Sequence, residues 1–189
     1  MVLLAKKVDS HYPKFYPKKN PFTHQKMQKI TPCLWFDNQA EEAAKFYVSV
    51  FKDAKILNTS YYEGKEVEKV SGMKEGTVLT VLFELNGEKI MALNGGPIFH
   101  FSEAVSLMID CKDQEEVDYF WSKLTADGGE ESQCGWLKDK FGFSWQVVPS
   151  VMDKLMKSDN PKKSEAAMNA MLKMKKLDIN ALQEAYDKA

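Results

Sequence analysis

The sequence predicts an α+β fold built from two β-α-β-β-β modules and followed by C-terminal helices. Three observations predict it. The same order of strand and helix patterns occurs twice, over residues 30–93 and again over 104–148. Turn residues punctuate both copies at matching places. Beyond Pro149 the apolar spacing changes from two to three and four, the helical period. A duplicated order of this kind is architectural evidence in itself. Each copy has one apolar sheet face, so the two must pair around a shared core or cavity.

The first copy opens with a strand, Ile30–Phe36, with Pro32 near its start as an edge strand allows. Asp37 or Asn38 is placed to cap a helix over Ala40–Phe51, where Ala43, Phe46, Tyr47, Val50 and Phe51 share one face. Ala54–Tyr62 is a second strand, and the charged, Gly-containing Glu63–Glu75 reads as a loop. Thr77–Leu85 is strongly β-forming, Asn86-Gly87 is a hairpin turn, and Glu88–Leu93 is the return strand. In the second copy, Ala104–Cys111 is a strand and Asp113 caps a helix with the face Val117, Phe120, Trp121 and Leu124. Asp127-Gly128-Gly129 ends that helix. Short strands follow at Glu130–Trp136, Leu137–Phe141 and Ser144–Val148. The tail predicts helices over Val151–Met156, from Asn160-Pro161 onward with Met168, Met171, Leu172 and Lys175 on one face, and from Asp178 with Ile179, Leu182 and Tyr186. The expected organisation is a leader over 1–26, modules over 27–97 and 98–150, and a helical extension over 151–189.

Composition narrows the function. Of 189 residues, 44% are hydrophobic, enough for a substantial core. No apolar run approaches the roughly 18 residues of a membrane span, and the N-terminus lacks a signal-peptide pattern. A cytoplasmic protein without membrane contact is expected. All 26 basic residues are lysine, and the net charge is −1. Without arginine there is no planar fork for phosphate, so nucleic-acid binding is not expected. The leader carries six lysines against Asp9, with Pro13, Pro17 and Pro21 set among aromatics. It reads as an arm held by its aromatic residues or as a basic contact for a partner. Cys33, Cys111 and Cys134 are too few and too scattered for a disulfide framework or a thiolate zinc site.

Specific motifs carry a resemblance. Asp139-Lys-Phe-Gly-Phe-Ser-Trp-Gln146 is similar to the D-P-x-G-x-x-x-E segment that closes each module of the vicinal-oxygen-chelate (VOC) superfamily, the glyoxalase, bleomycin-resistance and dioxygenase fold. Ile30-Thr-Pro-Cys-Leu-Trp-Phe-Asp37, Ala40-Glu-Glu-Ala-Ala-Lys-Phe-Tyr47, Ala92-Leu-Asn-Gly-Gly-Pro97, Gln114-Glu-Glu-Val-Asp-Tyr119, Cys134-Gly-Trp-Leu-Lys-Asp-Lys-Phe-Gly142 and Met171-Leu-Lys-Met-Lys-Lys-Leu-Asp-Ile179 resemble the PhnB-like branch, often labelled demethylubiquinone methyltransferase-like. The resemblance covers roughly residues 28–187. It implies a half-barrel, a cavity often completed across a homodimer, and, in metal-using members, His and Glu ligands.

Those ligand types are not where the resemblance would put them. Gln146 replaces the ligand Glu, and a neutral amide is a poorer metal ligand than a carboxylate. The first strand offers Thr31, Pro32 and Cys33, and the second module's first strand offers Val105 and Ser106. His100 lies in the linker; His11 and His24 lie in the leader. No metal site and no cofactor are therefore expected. The candidate ligand-binding residues are Cys33, Trp35, Asn94, Ser106, Met108, Trp136, Ser144 and Gln146, with Trp145 a further flat wall. Cys33 and Cys134 lack a sequence-local partner that would activate a thiol. Three readings follow: a binding protein for a small amphipathic ligand, a VOC enzyme of glyoxalase or lyase type, or the methyltransferase of the label. The chain has no GxG, the pattern of a typical adenosylmethionine loop; its paired glycines are Gly95-Gly96 and Gly128-Gly129.

Overall fold

Two four-stranded mixed sheets carry the chain's architecture. The computed structural model describes residues 30–189, so the basic leader with His11 and His24 falls outside the described residues. Thr31–Ala189 forms one compact unit. The first module is β1 (Cys33–Phe36), α1 (Ala40–Val50), β2 (Ala54–Tyr61), α2 (Lys65–Ser71), β3 (Val78–Leu85) and β4 (Glu88–Asn94). The second is β5 (Ser106–Cys111), α3 (Gln114–Leu124), β6 (Glu130–Glu131), β7 (Trp136–Lys138) and β8 (Ser144–Pro149). Helices α4 (Val151–Met156), α5 (Pro161–Met171) and α6 (Ile179–Asp187) follow. The strand orders are β1-β4-β3-β2 and β5-β8-β7-β6, and the first and last strands of each module pair in parallel. The α+β class and the duplicated order stand as predicted.

Strict alternation sets which face each side chain takes. Leu34, Phe36, Val81, Phe83, Ile90 and Ala92 of the first sheet are buried, as are Ile109, Leu137, Trp145 and Val147 of the second. With Tyr47 of α1, Phe51 just after it, and Val117 and Trp121 of α3 they form one core. Trp145 lies at its centre, 1% exposed, so it is packing rather than a cavity wall. The helices bind the modules to one another. Tyr47 stacks edge-on to Trp145 at 5.3 Å, and the Tyr119 hydroxyl donates to the Val50 carbonyl at 2.8 Å.

Three local departures have identifiable causes. The expected loop at 63–75 contains helix α2, framed by Gly64 and by Gly72 in the left-handed conformation at φ 74°. Its mostly charged sequence reads as a loop, yet glycine at C′ is an adequate stop. The strands expected over Glu130–Trp136 and Leu137–Phe141 shrink to β6 and β7. Cys134 and Gly135 take positive φ, and their N–H groups donate to the Met174 and Lys175 carbonyls at 2.8 and 2.7 Å. The tail thus takes the hydrogen bonds that a longer strand would have used. Finally, α5 ends at Met171 and buries Ala167, leaving Met168 and Leu172 exposed rather than on the packed face. Small Ala167 allows close approach within a second cluster of Met152, Leu155, Leu177 and Leu182.

The tail helices pack on their own chain. Gln114 at the start of α3 donates to the Leu177 carbonyl at 3.1 Å and accepts from Ile179 N at 2.9 Å. Three of the predicted helix caps are in place. Asp113 accepts from Glu116 N, Asn160 from Lys162 N and Asp178 from Ala181 N. No described helix is long and apolar enough to cross a membrane.

Candidate ligand-binding site

The face of each sheet turned away from the core helices is the candidate site. On the second sheet, strand register builds two cross-strand rows. One is Ser106, Ser144, Lys138 and Glu130; the other is Met108, Gln146 and Trp136. Five of the eight candidates, Ser106, Met108, Trp136, Ser144 and Gln146, thus share one surface. Met108 is largely exposed, whereas Ser144 is fully buried at the floor. A cavity of about 490 Å³ opens over this sheet, lined by Trp136, Lys138, Ser144, Cys134 and Glu103 among others.

Polar groups on this floor are used unequally. The Gln146 amide donates to Ser106 Oγ at 2.9 Å and so holds its neighbour across the strands. Ser144 Oγ, beside that pair, has no hydrogen-bond partner among the described residues. Lys138 binds Glu103 at 2.6 Å, which lowers the Glu103 carboxyl and raises the Lys138 ammonium.

On the first sheet, Cys33 and Trp35 occupy the open face of edge strand β1, beside Met91 and Leu93 of β4. The Trp35 indole donates to the Gly96 carbonyl at 2.9 Å and stands edge-on to Phe99 at 5.0 Å. Gly95 makes room for it, since a Cβ there would lie 2.1 Å from the indole. Trp35 and Phe99 wall a second crevice of about 480 Å³ with Phe101, Phe141 and the exposed His100. Surrounding atoms push the Cys33 thiol up, and burial with Glu116, Asp110 and Asp113 nearby pushes Cys111 up to about 12. Both shifts run against thiolate chemistry.

Asn94 is turned the other way. Its side chain accepts from Ala40 N at 2.8 Å and donates to the Val78 carbonyl at 3.0 Å. It therefore caps α1 from 54 residues away, a task expected of Asp37 or Asn38. Asn94→Ala is expected to cost about 2 kcal/mol, read from urea unfolding, because it leaves a buried helix-start N–H and a carbonyl without partners.

Sequence reasoning took Asp139 only as part of a turn, yet it organises the approach to β8. The buried carboxylate accepts from Tyr47 Oη and Trp145 Nε1, each at 2.8 Å, and from the Phe141 and Phe143 amides at 2.9 and 3.1 Å. Burial nevertheless raises its pKa above the ordinary 3.8, outweighing these hydrogen bonds. The signal was available as an Asp followed three residues later by Gly142, which holds φ 80°.

Comparison with known proteins fits this architecture. No curated protein matches the chain. A PhnB protein from Bacillus cereus is 36% identical, with a TM-score of 0.57 over 65% of this chain and 99% of its own. A protein from Staphylococcus aureus is 31% identical over 67% of this chain and 99% of its own, with a TM-score of 0.29. A protein from Pseudomonas aeruginosa, 16% identical over 65% of this chain and 98% of its own, has a TM-score of 0.50 and bears on the fold alone. The family model described as 3-demethylubiquinone-9 3-methyltransferase matches residues 28–148. The chain accordingly belongs to that PhnB-type family, within the vicinal-oxygen-chelate superfamily.

Proposed function

We propose that this protein is a cytoplasmic homodimer that binds a small amphipathic ligand between its open sheet faces, without the metal used by other VOC proteins. The observation that carries the reading is the second sheet's open face. There Trp136, Met108 and the Lys138 stem offer apolar surface around a few placed polar groups, the usual make-up of a small-molecule site. The donor set does not fit a divalent cation. Gln146 is neutral and engaged with Ser106, and β1 and β5 bring Cys33, Trp35, Ser106 and Met108 to the same faces. Among the described residues, no three His, Cys, Asp or Glu side chains converge as a metal site would require.

Exposed apolar side chains support a dimer. Ile98, Phe99, Val105 and Met108 are each more than half exposed and border the open face of β5 or the linker before it. Unpaired cysteines suit a reducing compartment.

Native mass spectrometry of the full chain, purified without chelator, tests the whole reading. The expected result is a dimer with no stoichiometric divalent ion, with or without an organic adduct. A monomer would overturn the dimer. One divalent ion per subunit would overturn the metal-free site. Retention of added adenosylmethionine would favour the methyltransferase activity of the family description.

A further inference from the structure

The geometry points to an organic cation, a primary amine carried on an aromatic body that bears a second polar group, as the class of ligand held over the second sheet. This deepens the binding reading above and rests on it. Glu103, Glu130 and Glu131 all line the cavity, against the single ammonium of Lys138. Two of these carboxylates are committed. Glu103 binds Lys138, and Glu131 accepts from Trp121 Nε1 at 2.8 Å with Lys175 at 3.7 Å. Glu130 stands across the strand from Lys138 and acts on its ammonium at a distance, while Lys138 itself is paired with Glu103. The lining therefore keeps an excess of negative charge that a cation would neutralise.

Ser144 supplies an independent observation. The residue is 1% exposed and lines the cavity, and its hydroxyl has no hydrogen-bond partner among the described residues. A buried hydroxyl without a hydrogen bond costs the fold free energy. A ligand with a polar group at that depth would satisfy it, while Trp136 offers a flat wall for the apolar body and for cation–π attraction. The ammonium would sit at the rim beside Glu130.

Three probes of one shape, each carrying a phenol hydroxyl able to reach Ser144, separate the possibilities: tyramine, 4-(2-hydroxyethyl)phenol and 4-hydroxyphenylacetate. Amide NMR titration of the full chain should show tyramine shifting Trp136, Lys138 and Ser144, with affinity at least about tenfold above the alcohol and no shift from the acid. Glu130→Gln should erase most of that preference. Ser144→Ala should weaken the amine about five- to tenfold while leaving the melting temperature unchanged or higher, an outcome that a structural serine would not give. Equal binding of amine and alcohol would overturn the cation and leave the binding site standing. Shifts confined to the first sheet would overturn this site but not ligand binding. No shift on either open face, from any probe, would overturn the cation proposal, and native mass spectrometry with no adduct would then remove the wider reading as well.

Discussion

Asp139→Ala is expected to lower unfolding stability by about 3 kcal/mol or more, enough to leave a marginal domain partly unfolded. Four donors lose their acceptor together: the Tyr47 hydroxyl, the Trp145 indole and two backbone amides. They come from α1 in the first module and from the turn and strand of the second, so the loss also loosens the join between modules. Asp139→Asn should cost less, about 1–2 kcal/mol. One oxygen is kept and the Tyr47 hydroxyl can rotate to accept, but the new amide meets the Trp145 N–H as donor against donor. Wild type should also differ from both variants in pH response, since neither variant has a titrating group at this position. Because burial raises the folded pKa above 3.8, the native state binds its proton more tightly than the unfolded chain does. The contribution of Asp139 is then fully present below about 3.8 and falls as pH rises through the folded value. Wild type relative to Asp139→Asn should therefore be most favoured in acid, the gap narrowing toward neutrality. Paired urea titrations followed by tryptophan fluorescence measure it; a gap that widens with pH would contradict the sign.

Gly129→Ala should be nearly as damaging, at about 3 kcal/mol. The backbone at Gly129 is ordinary, with φ −68°, so conformation is not the reason. A Cβ would lie 2.5 Å from the Leu124 carbonyl oxygen, 2.7 Å from Thr125 Cα and 2.8 Å from the Lys138 carbonyl oxygen. All three are backbone atoms, so relief requires moving the end of α3 or parting β6 from β7. Gly72→Ala is the contrast. It is conformationally strained at φ 74° but open, and should cost about 1–2 kcal/mol. Thermal unfolding of both variants separates steric from conformational need, and equal losses would refute the steric account.

These positions show what a sequence can and cannot disclose. Local signals were legible. Alternation placed Ser144 and Gln146 on one face, Asn86-Gly87 marked its hairpin, and Asp113, Asn160 and Asp178 were each read as caps. Requirements set by distant chain were not. Nothing near Ala40 indicates that Asn94 will cap it, and nothing near Tyr47 indicates Asp139, 92 residues on. For Asn94 a clue existed, since it has the parity of Ile90 and Ala92, both buried. The left-handed turn at Cys134-Gly135 depends on a tail 40 residues further along. Of the site, the second-sheet floor was legible through strand parity. The surrounding carboxylates were not, because a glutamate in a short β-strand looks like any solvated charge until register aligns Glu130 with Lys138.

That tail also sets an order of events during synthesis. The first sheet has all its strands once Asn94 is made, but the Cys134-Gly135 turn has no acceptors until Met174 and Lys175 exist. At roughly 5–20 residues per second, ribosomes open an interval of several seconds between those points. For part of it the Cys134-Gly135 turn is made but its two tail acceptors are not. The segment after α5 is thus a late clasp on the nascent chain.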